Sequence, residues 1–370
     1  FRAYYGLPPM NRADGSPINA VFGFTNMLVK LIEDYSDDKM IVIFDAARKN
    51  FRNSIYPEYK ANRGQAPDDL IPQFPLIRDC VKSFNIPQLE IEGYEADDLI
   101  ATYVNLAEKD EIETIIVSSD KDLMQLVSKK VTMLDPIKNK KIEIKDVEEK
   151  FGVKPDKVIF IQALTGDKVD NIPGAPGIGP KTASQLINDF GDIDSLLNNL
   201  EKIKQEKRRN ILRDAESDIR MSLKLVTLKN DVKISENINK IRTYKELKKE
   251  TNLIFKFLND QGFRSTSERL KSNSFISSDN HKIIQKNETE PKYHLINSKK
   301  NFEKILNEIE KQGICAIDTE TNSLNIEKAK LVGISICYSE NISYYIPINH
   351  ITSDGSKKID NQLEENYVIN

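Results

Sequence analysis

The feature that most restricts the fold of this chain is an alternation of strand-like and helical patterns in its amino-terminal part. Short apolar runs of strand length recur at residues 40–44, 88–91, 114–118 and 130–134. Helical patterns lie around them, at residues 17–32, 70–84, 95–108 and 120–127. This alternation predicts an α/β fold with a mainly parallel sheet covered by helices. From Asp146 to Phe263 only helical patterns with Gly and Pro punctuation remain, which predicts a helical subdomain.

A polar stretch divides the 370 residues into two ordered parts. Residues 264–291 are rich in Ser, Asn, Lys and Glu, a composition typical of a flexible linker. We therefore expect a first domain at residues 1–263 and a second at residues 292–370, a division that the length of the chain permits.

The second part has its own helix and strand signals. Ser298 fits a helix N-cap and Gly313 fits the end of that helix. Strand-like runs follow at residues 314–319, 330–338 and 343–348. No completion of this domain is visible before Asn370, and the chain begins at Phe1 instead of Met, so we expect the sequence to be a piece of a longer protein.

Composition excludes several classes of protein. The three cysteines, Cys80, Cys315 and Cys337, are far apart and form no Cys-x-x-Cys pair, and the three histidines are also scattered, so a zinc site is not expected. No apolar stretch approaches the ~18 residues of a membrane span. The net charge is −3, and 39% of the residues are apolar. These features predict a cytoplasmic protein with free thiols.

Acidic side chains form three short clusters and end a fourth element. The clusters are Glu95, Asp97 and Asp98; Asp120 and Asp122; and Asp167 and Asp170. Asp45 follows the first apolar run, at the carboxyl end of a strand, where open α/β sheets bind their ligands.

Each cluster alone is explained at least as well by helix capping, because acids in a first helical turn are favoured by the helix dipole. Capping does not explain four acidic elements that all lie at strand ends or tight turns. Asp167 and Asp170 lie one helical turn apart, on one face. Since Mg²⁺ takes carboxylate oxygens from several elements, the clusters predict a divalent-metal site for phosphate chemistry.

A Gly- and Pro-punctuated string lies between two helical patterns at residues 172–183. Its candidate DNA-contacting residues are Gly174, Gly177, Gly179, Lys181 and Thr182. The string predicts a helix-hairpin-helix at about residues 165–200, which binds the DNA backbone without reading sequence. Its Gly spacing does not fit a nucleotide-binding P-loop.

Basic and aromatic residues alternate between Phe51 and Arg63. Arg52, Tyr59 and Lys60 belong to this segment, which fits either a phosphate-binding and base-stacking segment or a solvated loop anchored by tyrosines. The acids nearby favour the first interpretation.

In the second part, an apolar run delivers Asp318 and Glu320 two residues apart. Strand periodicity places both on one face, and we expect a buried strand that begins an exonuclease metal site.

These motifs, in this order and spacing, resemble the 5′ nuclease domain of the bacterial DNA polymerase I family. The resemblance rests on Phe-Arg-Ala-Tyr-Tyr at residues 1–5, the strand ending in Asp45, the segment from Tyr59 to Arg63, the three acidic clusters and the hairpin. Asp318-Thr-Glu320-Thr-Asn-Ser-Leu is similar to the first motif of that family's 3′–5′ exonuclease domain. The resemblance implies a PIN-like parallel sheet followed by the start of a ribonuclease H-like domain.

The resemblance also implies a two-metal 5′ nuclease that uses Mg²⁺, with Mn²⁺ as an alternative. Asp45, Glu95, Asp97 and Asp98 would hold one ion, and Asp120, Asp122, Asp167 and Asp170 the second. Lys60, Arg63 and Arg2 would neutralise the phosphate. Asp318 and Glu320 would bind metal for proofreading. Implied partners are DNA with 5′ flaps, nicks or RNA primer–DNA junctions, and dNTPs for a polymerase domain absent from this sequence; a monomer in the bacterial nucleoid is expected.

The chain departs from the family in two respects. The family has a further catalytic aspartate on a strand before the Phe-Arg-Ala-Tyr motif, and it has further proofreading motifs and a polymerase domain that this sequence does not contain. We therefore expect this sequence by itself to be weakly active or inactive. Two alternatives stay open: a stand-alone 5′ nuclease, and a DNA-binding remnant without nuclease activity.

Overall fold

The computed structural model describes residues 1–234, 238–247, 251–272, 292–323, 325, 327–339, 342–352 and 355–369. The chain divides into two compact units, Phe1–Ser278 and Asp279–Asn370. Each buried apolar cluster among the described residues lies within one of these units.

The first unit contains short, mainly parallel strands. They are β1 (Val42–Ile43), β2 (Gln88–Leu89), β3 (Thr114–Val117), β4 (Val131–Asp135) and β5 (Lys140–Ile142). β1 pairs with β2 and β3 with β4 in parallel, while β5 is antiparallel to β4. All four predicted runs supply a strand. The described strands form two small sheets instead of one, and β5 was not predicted because Lys140-Lys-Ile carries a single apolar residue.

Helices account for most of the remaining ordered backbone of the first unit. They are α1 (Arg2–Gly6), α2 (Asn19–Asp34), α3 (Arg52–Ile55), α4 (Gln73–Ser83), α5 (Ala96–Lys109), α6 (Ile144–Phe151), α7 (Val158–Thr165), α8 (Pro180–Phe190), α9 (Ile193–Asn198), α10 (Glu206–Asp214), α11 (Glu216–Val226), α12 (Thr251–Asp260) and α13 (Arg264–Ser272). Residues 122–126, predicted to be helical, form a 3₁₀ helix.

Two large apolar clusters hold the first unit together. One joins β3, β4 and α6 to the helical subdomain, with Met133, Val147 and Ile187 at its centre. The other joins α2 and α4 to α12. The acidic clusters lie on elements that reach the first of these cores, so its packing fixes their positions.

The expected linker begins later than the sequence predicts. Residues 264–272, expected to be flexible, form α13, in which Thr266, Ser267 and Leu270 are buried. The Thr266 hydroxyl donates to the Asn26 side-chain oxygen at 2.9 Å, so the polar residues that suggested a linker are used in packing. Residues 273–291 of the expected linker lie outside the described residues.

The described residues of the second unit form a four-stranded sheet and two helices. Its elements are β6 (Lys292–Leu295), α14 (Lys299–Gln312), β7 (Ala316–Thr321), β8 (Leu331–Ser339), β9 (Ile342–Pro347) and α15 (Glu365–Ile369). The strand order is β6-β9-β8-β7, with only β6 and β9 parallel. Phe302 and Ile305 of α14 pack on Ile336 and Ile346 of the sheet.

None of the helices in the described ranges is long and apolar enough to cross a membrane.

Candidate active site

A cavity of about 330 Å³ gathers acidic and basic side chains from distant parts of the first unit. Its acidic lining residues are Asp45, Glu95, Asp97, Asp120, Asp122, Asp167 and Asp170. Its lining lysines and arginines are Arg52, Lys60, Arg63, Lys121 and Lys150. The structure thus brings together all the carboxylates predicted for this unit except Asp98.

The amino-terminal end of α5 positions three of the acids. The Asp45 carboxylate, just after β1, accepts the Ala96 backbone N–H at 2.8 Å, which joins the strand end to the helix start. Glu95 is the N-cap residue of α5 and forms a capping box with Asp98. Asp97 lies in the first turn between them and points into the cavity. Within this cluster Glu95 both caps the helix and lines the cavity, Asp98 only caps, and Asp97 only lines the cavity.

Asp98 does not fit the predicted role of metal ligand. It is fully buried, and its two carboxylate oxygens accept hydrogen bonds from the Arg52 guanidinium at 2.7 and 2.8 Å. The backbone N–H groups of Lys229 and Glu95 also donate to this carboxylate, at 2.9 and 3.1 Å. With its acceptor sites taken by protein donors, Asp98 orients the start of α5.

Arg52 and Tyr59 also differ from their prediction as DNA contacts. Arg52 is 1% exposed, and besides binding Asp98 it donates to the carbonyls of Leu225 and Thr227. Tyr59 is 5% exposed and its hydroxyl donates to Glu95 at 3.1 Å. Their contacts hold the segment 51–63 against α5 and the end of α11, and leave neither group available to DNA.

The cavity acids interact strongly with one another. Burial, followed by repulsion from Asp120, Glu95 and Asp45, raises the pKa of Asp97 well above its ordinary value. Burial, then repulsion from Asp120, raises the pKa of Asp122 to about 6. These raised pKa values show that burial and mutual repulsion disfavour the ionised carboxylates. A bound cation would stabilise the ionised forms.

Asp167 behaves in the opposite way. Burial alone would raise its pKa, but a hydrogen bond from Lys121 at 2.5 Å and another from the Val169 backbone N–H bring the pKa below the ordinary value. The Asp167 carboxylate therefore keeps its negative charge to a lower pH than the Asp122 carboxylate does.

Three basic side chains neutralise individual acids. Lys60 pairs with Glu95 and lies 3.8 Å from Asp170. The Arg63 guanidinium donates to the Asp170 carboxylate, with its Nε at 2.9 Å. Lys121 pairs with Asp167. Among the described residues, no group of three His, Cys, Asp or Glu side chains is close enough in this arrangement to hold a metal ion. The donor set fits a hard divalent cation, and binding requires the basic groups to release their acids.

Backbone contacts fix the basic segment against the hairpin loop, residues 166–179. The Lys60 N–H donates to the Asp170 carbonyl at 2.9 Å, with Lys60 in the left-handed region at φ 56°. The Asn171 side chain donates to the Glu58 carbonyl at 2.8 Å. Lys60 and Arg63 are thereby held beside Asp170.

The glycines of the hairpin loop have two different roles. Gly174 is buried, its N–H donates to the Ser222 hydroxyl, and a Cβ there would lie 2.3 Å from the Gly166 nitrogen. Gly174 therefore serves packing, and its N–H is not free for DNA as predicted. Gly177 and Gly179 are exposed with open space above them, as is Lys181, while Thr182 is half-buried.

The remaining predicted cation lies outside the cavity lining. Arg2 donates from Nη2 to the Ser119 carbonyl at 3.4 Å, adjacent to Asp120. Its role at the phosphate stays a prediction.

Asp318 and Glu320 of the second unit lie on β7, opposite Ser335 and Gly333 of β8. The expectation of a buried strand is wrong: every residue of β7 is exposed, and Ile317 is 61% exposed. β7 is an edge strand, bonded only to β8 in the described sheet. The Tyr345 ring lies against Gly333, and Glu320 contributes after burial to raising the pKa of Tyr345.

The sequence does not predict several residues that line the cavity or bond to its acids. Lys121 stands between two predicted acids, a position that could have identified it. Gln162 donates to Asp122 at 2.5 Å, and Asn50 donates to Glu95 at 3.0 Å. Lys150 reaches the cavity from α6. These residues carry no motif of their own, since their role depends on tertiary contacts.

Two family models match the chain. The 5′-3′ exonuclease N-terminal resolvase-like domain matches residues 1–152, and the 5′-3′ exonuclease C-terminal SAM fold matches residues 153–250. Together they span all the elements that line the cavity. The predicted α/β fold with a helical subdomain is confirmed; the ribonuclease H-like fold of the second unit stays a prediction.

Three relatives show how far the similarity extends. DNA polymerase I of Rhizobium leguminosarum is 51% identical over 247 residues, 65% of this chain and 24% of the relative. DNA polymerase I of Borreliella burgdorferi is 35% identical over 397 residues, 100% of this chain and 42% of the relative. The 5′-3′ exonuclease of Aquifex aeolicus is 40% identical over 244 residues, 65% of this chain and 83% of the relative. The chain spans less than half the length of these two polymerases.

A solved structure agrees with the first unit. The T5 5′-exonuclease with divalent zinc ions bound has a TM-score of 0.52 and 25% sequence identity, covering 65% of this chain and 90% of that chain.

Proposed function

This chain belongs to the 5′-3′ exonuclease family, and from that premise we propose that its first unit hydrolyses phosphodiester bonds of DNA with two divalent metal ions, Mg²⁺ in the cell. The observation that carries the proposal is the cavity in which seven carboxylates from four distant segments meet four basic side chains that are not fully buried. A surface that only binds DNA gains nothing from this much negative charge near phosphates.

We assign the acids by the elements that present them. Asp45, Glu95 and Asp97, at the start of α5, would hold one ion, and Asp120, Asp122, Asp167 and Asp170 would serve the second. Ions held there would supply a water of lowered pKa and would offset the negative charge of the phosphate. Asp98 is removed from this set and keeps α5 in place through Arg52.

The basic residues change partners when the cavity fills. Lys60 and Arg63, now paired with Glu95 and Asp170, would turn to the scissile phosphate once ions neutralise those acids. There they would stabilise charge that develops in the transition state. Arg2, adjacent to the Asp120 segment, is proposed to assist.

The substrates we propose are 5′ flaps, nicks and RNA primer–DNA junctions. The exposed Gly177, Gly179 and Lys181 of the hairpin loop, with Thr182 at the start of α8, would bind the backbone of the duplex. Helix amino termini with approachable N–H groups favour phosphate. This contact is independent of base sequence and positions the duplex relative to the cavity.

For the whole protein we propose a DNA polymerase I that uses dNTPs, acts as a monomer near the nucleoid, and carries a 3′–5′ exonuclease to which Asp318 and Glu320 contribute metal ligands. Support comes from the similarity to the Borreliella polymerase, which extends through the second unit. A stand-alone 5′ nuclease is the second candidate, favoured by the likeness of the first unit to most of the Aquifex exonuclease.

The deciding experiment measures Mg²⁺-dependent cleavage of a 5′-flap DNA by the natural full-length protein and by Asp170→Asn. Asp194→Asn is the matched control, because Asp194 is exposed on α9 and distant from the cavity lining. We expect cleavage by the parent and the control and its loss in Asp170→Asn. Equal cleavage by all three would refute the metal assignment; binding without cleavage by all three would favour a DNA-binding remnant.

A further inference from the structure

The cavity contains a cation that the proposed metal and phosphate chemistry has not used. Lys150 lies in the last turn of α6 and lines the cavity on the side of the helical subdomain. Its ammonium is 3.6 Å from the Met124 sulfur and 5.5 Å from the centre of the Phe151 ring. Both neighbours are soft contacts that leave most of its donor capacity unused.

Lys150 differs from Lys60, Arg63 and Lys121 of the cavity in its charge partners. Lys60, Arg63 and Lys121 each form an ion pair with a cavity acid. In the described part of the chain, no carboxylate lies within ion-pairing distance of Lys150. Burial, then repulsion from Lys121, lowers its pKa, although Asp120 and Asp122 attract it from further away.

The position of Lys150 is tied to the hairpin. Gly152, which ends α6 with φ 71°, offers its carbonyl to the Ser184 hydroxyl at 3.1 Å and to the Asn188 side chain at 2.9 Å, both on α8. A Cβ at Gly152 would lie 2.3 Å from the Ser184 oxygen, so the approach of α6 to α8 requires glycine. These contacts fix the end of α6, and with it the backbone of Lys150, against α8.

We propose that Lys150 binds a backbone phosphate of the DNA substrate in the cavity, as a contact additional to Lys60 and Arg63. This inference rests on the proposed nuclease function and deepens it. Among the described residues, the Lys150 ammonium has no carboxylate partner, and it lies next to the Met124 thioether. A phosphate that enters the cavity would therefore give it a favourable charge partner. The alternative, that Lys150 only offsets the charge of Asp120 and Asp122 at a distance, predicts a different response to salt.

The test compares Lys150→Met, which removes the charge and keeps the length of the side chain, with Lys150→Arg, which keeps the charge. Lys145→Met on the same helix is the control, because its side chain is 79% exposed and outside the cavity lining. Binding of a 5′-flap DNA to the full-length protein is measured against salt concentration, with Ca²⁺ replacing Mg²⁺. Cleavage is measured separately with Mg²⁺.

A phosphate contact predicts that Lys150→Met weakens binding roughly tenfold at low salt and reduces the slope of log affinity against log salt by about one. Lys150→Arg should restore most of the affinity, and Lys145→Met should match the parent. An unchanged slope in Lys150→Met, or equal losses in Met and Arg variants, would overturn the inference.

The binding measurement separates this inference from the proposed function. If the parent binds the flap but does not cleave it, the nuclease proposal fails while the slopes still decide the role of Lys150. If cleavage is normal in Lys150→Met with an unchanged slope, the nuclease proposal stands and this inference fails. Thermal unfolding of each variant checks that it is folded, and Lys150→Gln replaces Lys150→Met if the latter is not.

Discussion

The two acidic regions of this chain present carboxylates in opposite ways. In the first unit, the cavity acids repel one another and accept hydrogen bonds from basic side chains and backbone N–H groups, so almost every carboxylate has a specific partner. In the second unit, Asp318 and Glu320 lie on an exposed edge strand, and the Asp318 carboxylate accepts a hydrogen bond from the backbone N–H of its neighbour Thr319. Among the described residues, other elements converge on the acids of the first unit, whereas Asp318 and Glu320 lie exposed on β7.

The cavity also contrasts acids within one cluster. Asp97 is repelled by its neighbours, whereas Asp98, next in sequence, is neutralised by a buried arginine. The repulsion at Asp97 favours binding of a cation, whereas the Arg52 guanidinium already balances the charge of Asp98. Stability and metal binding should therefore respond differently to changes at the two positions.

The largest expected effect comes from Arg52→Met. Removing the guanidinium leaves Asp98 buried without its partner, which typically costs about 3–5 kcal/mol. Lys311→Met, in the exposed Lys311–Glu308 pair of the second unit, should cost at most about 1 kcal/mol. Urea unfolding followed by circular dichroism tests the contrast. Adding Asp98→Leu to Arg52→Met should recover part of the loss, and failure to recover any would argue against the buried charge as the cause.

The next largest effect concerns divalent metal. Asp97→Asn should weaken Mn²⁺ binding to the first unit at least about a hundredfold, because loss of groups that merely orient ligands already costs 10–100-fold. Asp318→Asn should leave that binding unchanged. Isothermal titration calorimetry on the full protein separates the sites by affinity. A weaker first-unit site in Asp318→Asn would erase the distinction between the two regions.

A smaller effect is a dependence of stability on pH without metal. The pKa of Asp122 is raised to about 6 in the folded state, above the unfolded value, so the folded chain binds the extra proton. Its contribution therefore stabilises the fold below the unfolded pKa and is lost as pH rises through about 6. In EDTA, we compare the free energy of unfolding of the parent with that of Asp122→Asn. The parent should lose about 1–2 kcal/mol relative to the variant between pH 5 and pH 8, after allowance for solvent screening.

Excess Mg²⁺ should reverse this trend, since bound metal requires ionised carboxylates and its binding weakens as pH falls. The same pair of proteins measured in Mg²⁺ checks this. A difference between them that is independent of pH in both buffers would contradict the repulsion described for Asp122.

The smallest expected effect is at β7. Glu320→Gln should change the free energy of unfolding of the second unit by less than about 0.5 kcal/mol, because the side chain is exposed and substitutions at such sites are usually mild. Thermal unfolding of this variant beside the parent is sufficient. A loss comparable to that of Arg52→Met would mean that β7 is not the open edge described here.

Local signals predicted much of this structure. Asp45 and Asp120 follow apolar runs, and the start of α5 could be placed from its acidic first turn, because strand ends and helix caps depend on neighbouring residues. The hairpin followed from its glycines. Asp98 and Arg52 could not be assigned, because their pairing joins positions 46 residues apart.

Periodicity also does not specify which faces become covered. The run before Asp318 has the composition of a buried strand, but β7 lies at a sheet edge. α13 was missed for the opposite reason, since Thr266 and Ser267 look solvated in sequence and are buried in the fold.

The pairing of Asp98 with Arg52 has a consequence for interpreting large sets of variants. Counts based only on enzyme turnover would place Asp97 and Asp98 in one intolerant group. Measurements of protein abundance in the cell would distinguish the two positions. A substitution at Asp98 leaves the buried Arg52 guanidinium without its partner, so the destabilised chain is degraded by proteases. Asp97→Asn leaves a folded product with a long lifetime. Such a product would still occupy DNA ends, and would compete with the active protein where a degraded one would not.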